Sequence, residues 1–459
     1  MNNSKFNAFK EYVRNKEISV VGIGISNLPL IRFLCQNGAS VTACDKKQPH
    51  ELGETLSELQ SLGVKLCCGE NYLDNLKGEI IFKTPGMRFD HIALEKARKN
   101  GSIITSEMEV FFEVCPSKII AVTGSDGKTT TTTLIYKILS ESGYKCHLGG
   151  NIGTPLLCTT DSIAPDDIVV VELSSFQLHT MKKSADVSVI TNITPNHLDM
   201  HKSYEEYIDA KRNIYSHGNK QNVLVVNKTN DKSYESKDDA NGSVRVFGYD
   251  NTCDVFSDNG AIFAFGEKIL DVCDIKIPGE HNVQNYMTAI CATYPLYTAE
   301  AVKKVAQTFG GVEHRIEFVR EFNGVRYYNS SIDSSPNRTI NTLNVFDKVI
   351  LITGGKDKGI PYDILGESLA TKTKHIILIG KTGPLIKEAL DKYTAQTGIG
   401  ADITTQFCTT YEEAVNCAKD AASSGDVVLL SNASTSFDMF KNFEERGNLF
   451  KKIVNELKD

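Results

Sequence analysis

The run Lys118-Ile119-Ile120-Ala121-Val122-Thr123-Gly124-Ser125-Asp126-Gly127-Lys128-Thr129-Thr130 joins an apolar stretch to a turn of small residues and a Lys-Thr pair. The pattern predicts a strand up to the turn and a helix over 131–139. A strand feeding a glycine turn feeding a helix aims backbone N–H groups and the positive helix end at one point, which suits a phosphate. Lys128 then supplies a point charge for the outer phosphates, and the Thr129 hydroxyl can ligate Mg²⁺. Gly124, Ser125, Asp126, Gly127 and Thr130 complete the cradle. The eight-residue phosphate-loop pattern wants a glycine at Val122, so the match misses by one position. A plain strand–turn–helix junction is the alternative, but it gives no reason for Gly-Lys-Thr. The chain is expected to bind a nucleoside triphosphate.

Other candidates fall at the ends of apolar runs. Gly22-Ile23-Gly24-Ile25-Ser26-Asn27 carries two of the three glycines of a dinucleotide fingerprint, and Asp45 ends the next apolar run, where an acid would meet a ribose. With Asn27 in place of the third glycine, a loop cradling another nucleotide's phosphates fits better than a dehydrogenase, and a simple turn remains open. Glu172, in Glu172-Leu173-Ser174-Ser175-Phe176-Gln177-Leu178, sits where a carboxylate can hold a phosphate-bridging Mg²⁺ or cap the chain. His197, in Asn196-His197-Leu198-Asp199, follows an apolar run and is expected at the same sheet edge, as a functional or a structural histidine. Lys211 reads from its spacing as a solvated helical lysine. Asn282 and Asn285 could read a purine edge, and Arg315 with Asp333 could hold a phosphate and a ribose.

The elements that must position these groups alternate strand and helix. The first segment predicts strands at 18–23, 40–44 and 80–83 and helices at 28–37, 56–62 and 93–99, a small parallel α/β domain. The second adds Val/Ile runs at 167–173, 187–190 and 223–226, β-like pieces over 244–272 and helices at 204–215 and 283–293. The third predicts strands at 325–328, 349–353, 376–379 and 427–430, and the polar stretch 229–243 reads as a surface loop. The expected boundaries are 1–107, 108–311 and 312–459, in keeping with 459 residues. A net charge of −7 argues against a general nucleic-acid binder. The polar first ten residues and the lack of a long apolar run lead us to expect a cytoplasmic protein away from membranes. Twelve scattered cysteines without a CxxC pair are expected to be reduced thiols.

Taken in order, these motifs resemble the Mur ligase family of cell-wall synthesis. The resemblance rests on Thr123 to Thr129, Gly149-Gly150-Asn151-Ile152-Gly153, Glu172 to Leu178, Asn196 to Asp199, Asp209-Ala210-Lys211-Arg212, His281-Asn282, His314-Arg315 and Phe440-Lys441-Asn442-Phe443-Glu444-Glu445-Arg446-Gly447. Those stretches span nearly the whole chain. It implies three α/β domains: a Rossmann-like one for a UDP-sugar, a central ATPase with a mainly parallel sheet, and a Rossmann-like one for an amino acid. The shorter Gly-x-x-Gly-Lys-Thr turn is the form this family uses, which accounts for Val122.

The Ser-Ser-Phe-Gln-Leu and Lys-Asn-Phe-Glu blocks imply ATP-dependent addition of D-glutamate to UDP-N-acetylmuramoyl-L-alanine through an acyl phosphate. A sibling ligase adding another amino acid, or a non-catalytic nucleotide-binding relative, is the alternative. By resemblance Gly24, Ser26, Asn27, Asp45, Lys46, Thr84 and Gly86 hold the UDP moiety. Asn151, Asn282, Asn285, Arg315 and Asp333 place ATP alongside the phosphate loop. Two Mg²⁺ ions are implied, one on Thr129 and Glu172, the other on His197 and a carbamylated Lys211, so that Lys128, His197 and Lys211 form the catalytic set. Asn337, Lys358, Ser436, Phe437 and Phe443 match the D-glutamate pocket. The chain is expected to act as a monomer. Ser335 stands where the family pattern has a lysine, Lys356 where it has an acid and Asn432 where proline is common, so the D-glutamate contacts are less well defined than the ATP site.

Overall fold

The computed structural model describes residues 3–24, 27–196, 200–357 and 359–458. Among these lie three α/β sheets in two compact units, one of residues 1–274 with 280–307 and the other of 275–279 with 308–459.

The first unit opens with five parallel strands: β1 (Glu17–Val21), β2 (Ser40–Asp45), β3 (Lys65–Cys68), β4 (Ile80–Phe82) and β5 (Ile103–Thr105). Their order is β3-β2-β1-β4-β5, so the strand order reverses beside β1, at whose carboxyl end such sheets bind ligands. The second sheet holds β6 (Lys118–Thr123), β7 (Cys146–Gly150), β8 (Ile168–Glu172), β9 (Val187–Ile190), β10 (Val223–Asn227), β11 (Ser243–Gly248), β12 (Val255–Asp258), β13 (Ala261–Ala264) and β14 (Glu267–Asp271). It runs β14-β13-β12-β11-β10-β9-β6-β8-β7, parallel from β7 to β12 and antiparallel from β12 to β14. All five residues of β8 and all four of β9 are buried, as a doubly covered parallel sheet requires. One apolar cluster runs from Phe6 through Phe111 to Val226, and the two sheets share it.

The second unit holds β15 (Glu317–Phe322), β16 (Val325–Ser330), β17 (Val349–Thr353), β18 (Thr373–Ile379), β19 (Thr404–Cys408) and β20 (Val427–Ser431), ordered β15-β16-β20-β17-β18-β19. Only β15 pairs antiparallel. Separate apolar clusters cover the two faces, one around Phe450 and Val454, the other around Leu365 and Ile386.

Expected and observed elements differ most at sheet edges. The stretch 229–243 holds a helix, Asp231–Glu235, followed by a 3₁₀ turn, Ser236–Asp239. Asn230 caps it by accepting from the Ser233 N–H, and the buried Ser233 hydroxyl donates to the Ile190 carbonyl. Beyond Ser233 and Ser236, only Tyr234 and Ala240 pack against the core, too few apolar residues to make a period. The structure holds all twelve cysteines as free thiols. No helix among the described residues is long and apolar enough to cross a membrane.

The helix Glu107–Val114 begins at the Ser106 cap and buries Glu107, whose Oε1 accepts from the Leu157 N–H at 2.7 Å. Burial pushes the Glu107 carboxyl from 4.5 up to about 7, against the pull of the Leu157 and Leu156 N–H groups. The folded state therefore holds a proton that the unfolded chain releases, and stability falls as pH rises through this window, by roughly 3 kcal/mol. Glu107→Gln is expected to flatten that slope in urea unfolding measured at pH 5 and pH 8.

Candidate functional site

The strand β6 ends in the glycine turn, and the helix Lys128–Glu141 starts immediately after it, with Gly127 at its N-cap in the left-handed region. Gly124 is required by space, since a Cβ there would fall 1.9 Å from the Thr191 Oγ1. The turn is held on the β9 side: the Ser125 N–H donates to the Asn192 carbonyl at 2.8 Å and the Asp126 N–H to Asn192 Oδ1 at 2.9 Å. Lys128 Nζ lies across the loop and donates to the carbonyls of Gly124 and Ser125 at 3.0 and 2.9 Å. Thr129 is buried in the first turn of the helix, next to Thr130. From the far side, Asn285 Nδ2 donates to Asn282 Oδ1, while Asn285 Oδ1 accepts from the Thr131 hydroxyl and borders Gly127.

Two buried ionisable groups flank this loop. Glu172 ends β8, pairs in register with Val122, and accepts from Asn151 Nδ2 on Oε1 at 2.9 Å. Its Oε2 is buried with no hydrogen-bond partner among the described residues. An orphaned carboxylate oxygen beside a phosphate loop is the donor a hard divalent cation takes, so Glu172 and Thr129 fit the Mg²⁺ the sequence implies. Lys211, expected from its spacing to be solvated, is only 1% exposed. Its Nζ donates to the Gly124 carbonyl at 2.7 Å and lies 4.6 Å from the Tyr207 ring centroid. Burial, then the nearby Lys128 charge, hold the amine well below the ordinary lysine range, with Asp126 and Glu172 opposing them. Tyr207, which gave no sequence signal, places its hydroxyl 2.9 Å from Ser125 Oγ.

In the first sheet the candidate UDP residues gather at the carboxyl ends of β1, β2 and β4. Asp45 accepts from the Ile23 N–H at 2.6 Å and the Lys47 N–H at 2.9 Å, so its carboxylate braces the glycine turn. Asn27 is buried and spends its amide on the carbonyls of Val21 and Gly22, doing structurally what a third glycine would do by size. Thr84 packs against Gly22, and Gly86 and Lys46 are exposed. Ser26, His197 and Lys358 lie outside the described residues.

In the second unit, the turns after β17 and β20 are joined by a bridge between Lys356 and Thr435, which brings Lys356 beside the buried Ser436. Phe437 is exposed, Asn337 is exposed one residue into the helix Pro336–Leu343, and Phe443 opens the helix Phe443–Glu456. Asp333 is buried, and its Oδ2 accepts from the Thr342 and Ser431 hydroxyls at 2.7 and 2.8 Å. Arg315 lies next to His314, whose ring meets the Asn329 amide. Sequence reasoning missed the role of Arg446: its buried guanidinium donates to the Ser331 Oγ and carbonyl and to the Ser434 carbonyl, fixing the turn that carries Ser436. A signal was present, because Arg446 shares the apolar helical face of Phe450 and Val454.

Three family models match consecutive parts of the chain: "Mur ligase MurD-like, N-terminal domain" over residues 16–106, "Mur ligase middle domain" over 122–293 and "Mur ligase, glutamate ligase domain" over 314–433. The chain is 53% identical over 463 residues to the UDP-N-acetylmuramoylalanine--D-glutamate ligase of Acetivibrio thermocellus, covering 99% of each. It is 53% identical over 464 residues to the enzyme of that name from Ruminiclostridium cellulolyticum, covering 99% of this chain and 100% of that one. Among solved structures, UDP-N-acetylmuramate-alanine ligase from Thermotoga maritima shares the fold at a TM-score of 0.58 and 19% identity, over 96% of this chain and 100% of that one. With half its residues shared with such relatives along its whole length, and a family model on each sheet-bearing region, the chain belongs to the Mur ligase family.

Proposed function

We propose that this chain is a UDP-N-acetylmuramoylalanine--D-glutamate ligase, joining D-glutamate to UDP-N-acetylmuramoyl-L-alanine at the expense of ATP in peptidoglycan precursor synthesis. The observation that carries the reading is the phosphate loop with Lys128, Glu172 and Lys211 gathered around it in a chain half-identical to enzymes of that name. The substrate carboxylate attacks the γ-phosphorus, the bond to the bridging oxygen breaks and ADP leaves, giving an acyl phosphate. The D-glutamate amine then adds to the acyl carbon, the tetrahedral adduct expels phosphate, and the amine proton is lost to a base. Lys128 offsets the repulsion between the two anions that must meet in the first step. Thr129 and Glu172 would hold Mg²⁺, with His197 and a carbamylated Lys211 serving a second ion. Bound there, the metal supplies positive charge to the equatorial phosphate oxygens.

The same reading assigns Gly24, Ser26, Asn27, Asp45, Lys46, Thr84 and Gly86 to the UDP moiety. Asn151, Asn282, Asn285, Arg315 and Asp333 go to ATP, and Asn337, Lys358, Ser436, Phe437 and Phe443 to D-glutamate, with Lys356 replacing the lysine absent at Ser335. The domain limits are 1–107, 108–311 and 312–459. The chain works as a monomer in the cytoplasm. The test supplies ATP, Mg²⁺ and UDP-N-acetylmuramoyl-L-alanine and measures phosphate release while the amino acid is varied. D-glutamate is expected to give strong turnover; turnover with L-lysine, meso-diaminopimelate or L-alanine and none with D-glutamate would identify a sibling ligase instead.

A further inference from the structure

The loop after β4 that carries Thr84 and Gly86 continues into Arg88, whose guanidinium enters a network none of the motifs points to. Nε and Nη2 donate to the two carboxylate oxygens of Asp90 at 2.8 and 3.0 Å, and Nη2 and Nη1 reach those of Glu206 at 2.9 and 3.3 Å. Nη1 also donates to the Met200 carbonyl. Lys202 closes the ring, its Nζ 2.5 Å from Asp90 and its N–H donating to Glu206 at 2.5 Å. Two cations therefore face two carboxylates, and all four are tied to chain segments bordering 84–86 or 197–199.

Glu206 lies in the first turn of the helix Tyr204–Arg212, capped by Ser203. The same helix carries Tyr207, bonded to Ser125, and Lys211, bonded to Gly124. Tyr207 and Lys211 stand four residues apart on one face, and Glu206 to Lys211 spans about 7.5 Å of a rigid rod. A displacement of Arg88 would be transmitted along that helix, which runs unbroken from Glu206 to Lys211.

We propose that Arg88, through Glu206, is a positioning residue that couples the UDP-substrate loop to the ATP site: filling the loop at 84–86 sets where Tyr207 and Lys211 stand, so the UDP-nucleotide and ATP bind with positive coupling. The inference rests on the proposed function for the identity of the first ligand. A bidentate arginine is suited to the task because its planar fork fixes the direction as well as the distance of Glu206. Coupling of this kind is reciprocal and typically changes affinity about tenfold.

Calorimetry of a non-hydrolysable ATP analogue, with and without UDP-N-acetylmuramoyl-L-alanine, tests the coupling in wild type, Arg88→Met, Glu206→Gln and the double variant. The expected result is about tenfold tighter analogue binding in the presence of the UDP-nucleotide for wild type. Each variant should bring that ratio close to one, with analogue affinity alone little changed, and the double variant should lose no more than either single one. Glu206→Gln keeps the side-chain shape and serves if Arg88→Met does not fold. Wild type that binds both ligands without coupling, or variants that retain it, would overturn the inference alone. Failure of the UDP-nucleotide to bind wild type would instead overturn the proposed function.

Discussion

Lys128→Ala is expected to lower phosphate release about a thousandfold or more while leaving the fold intact. The magnitude follows from its place: Lys128 is the first residue of the helix after the glycine turn, with Nζ over the loop carbonyls of Gly124 and Ser125. Removing one preorganised donor to developing charge costs about 10²–10³ in rate, and here the donor is also a full charge facing two anions. The side chain contributes little to packing, so the thermal midpoint should move by no more than a few degrees. Steady-state phosphate release and a thermal melt on one preparation separate the two effects. A near-normal rate would mean that the triphosphate site is misassigned. The variant also has a distant consequence, since Lys128 is one of the charges holding the Lys211 amine low. Without it, Lys211 should titrate higher.

What was legible in the sequence follows burial. β9 at Val187–Ile190 and β17 at Val349–Thr353 are wholly buried, and short runs rich in Val and Ile marked their limits to the residue. The strands that went unread lie at or near sheet edges: β3 and β5 have no fully buried residue, β7 contains two glycines, and β19 has one buried residue and an exposed Phe407. Such strands are fixed by a neighbour's ladder rather than by their own pattern, so no period marks them. Sites divided in the same way. The phosphate loop is local, and a strand, two glycines and a Lys-Thr pair announce it. Arg88 and Glu206, 118 residues apart, meet only after folding, as do Tyr207 and Lys211 with the phosphate loop. The motif resemblance singled out Lys211, whereas its spacing said solvated lysine. Asn27 shows the converse, a departure from the dinucleotide fingerprint that the structure explains through its two amide bonds to the turn.

Lys211→Ala is expected to lower activity by at least about a hundredfold, and the decisive measurement is what restores it. The amine is buried, donates to the Gly124 carbonyl, and is held low by burial and by Lys128. Lowering the amine in this way raises the share of its neutral form, and the neutral amine is the nucleophile toward CO₂. The amine nitrogen adds to the carbon, a C–N bond forms, one proton is released and a carbamate anion results. That product would exchange a group repelled by Lys128 for one attracted to it, whereas burial opposes either charge, so the anion depends on Lys128 and on a bound cation. Three outcomes follow from the proposal. Short carboxylates such as formate or acetate should partly rescue Lys211→Ala, because they can occupy the volume left and return the missing charge. Wild-type activity should fall when bicarbonate is stripped from the buffer and return on its addition. Lys211→Arg, which keeps a cation but offers no nucleophilic amine, should be as inactive as Lys211→Ala and should respond to neither treatment. An active Lys211→Arg would show that position 211 works as a cation, and the carbamate would then have to be abandoned.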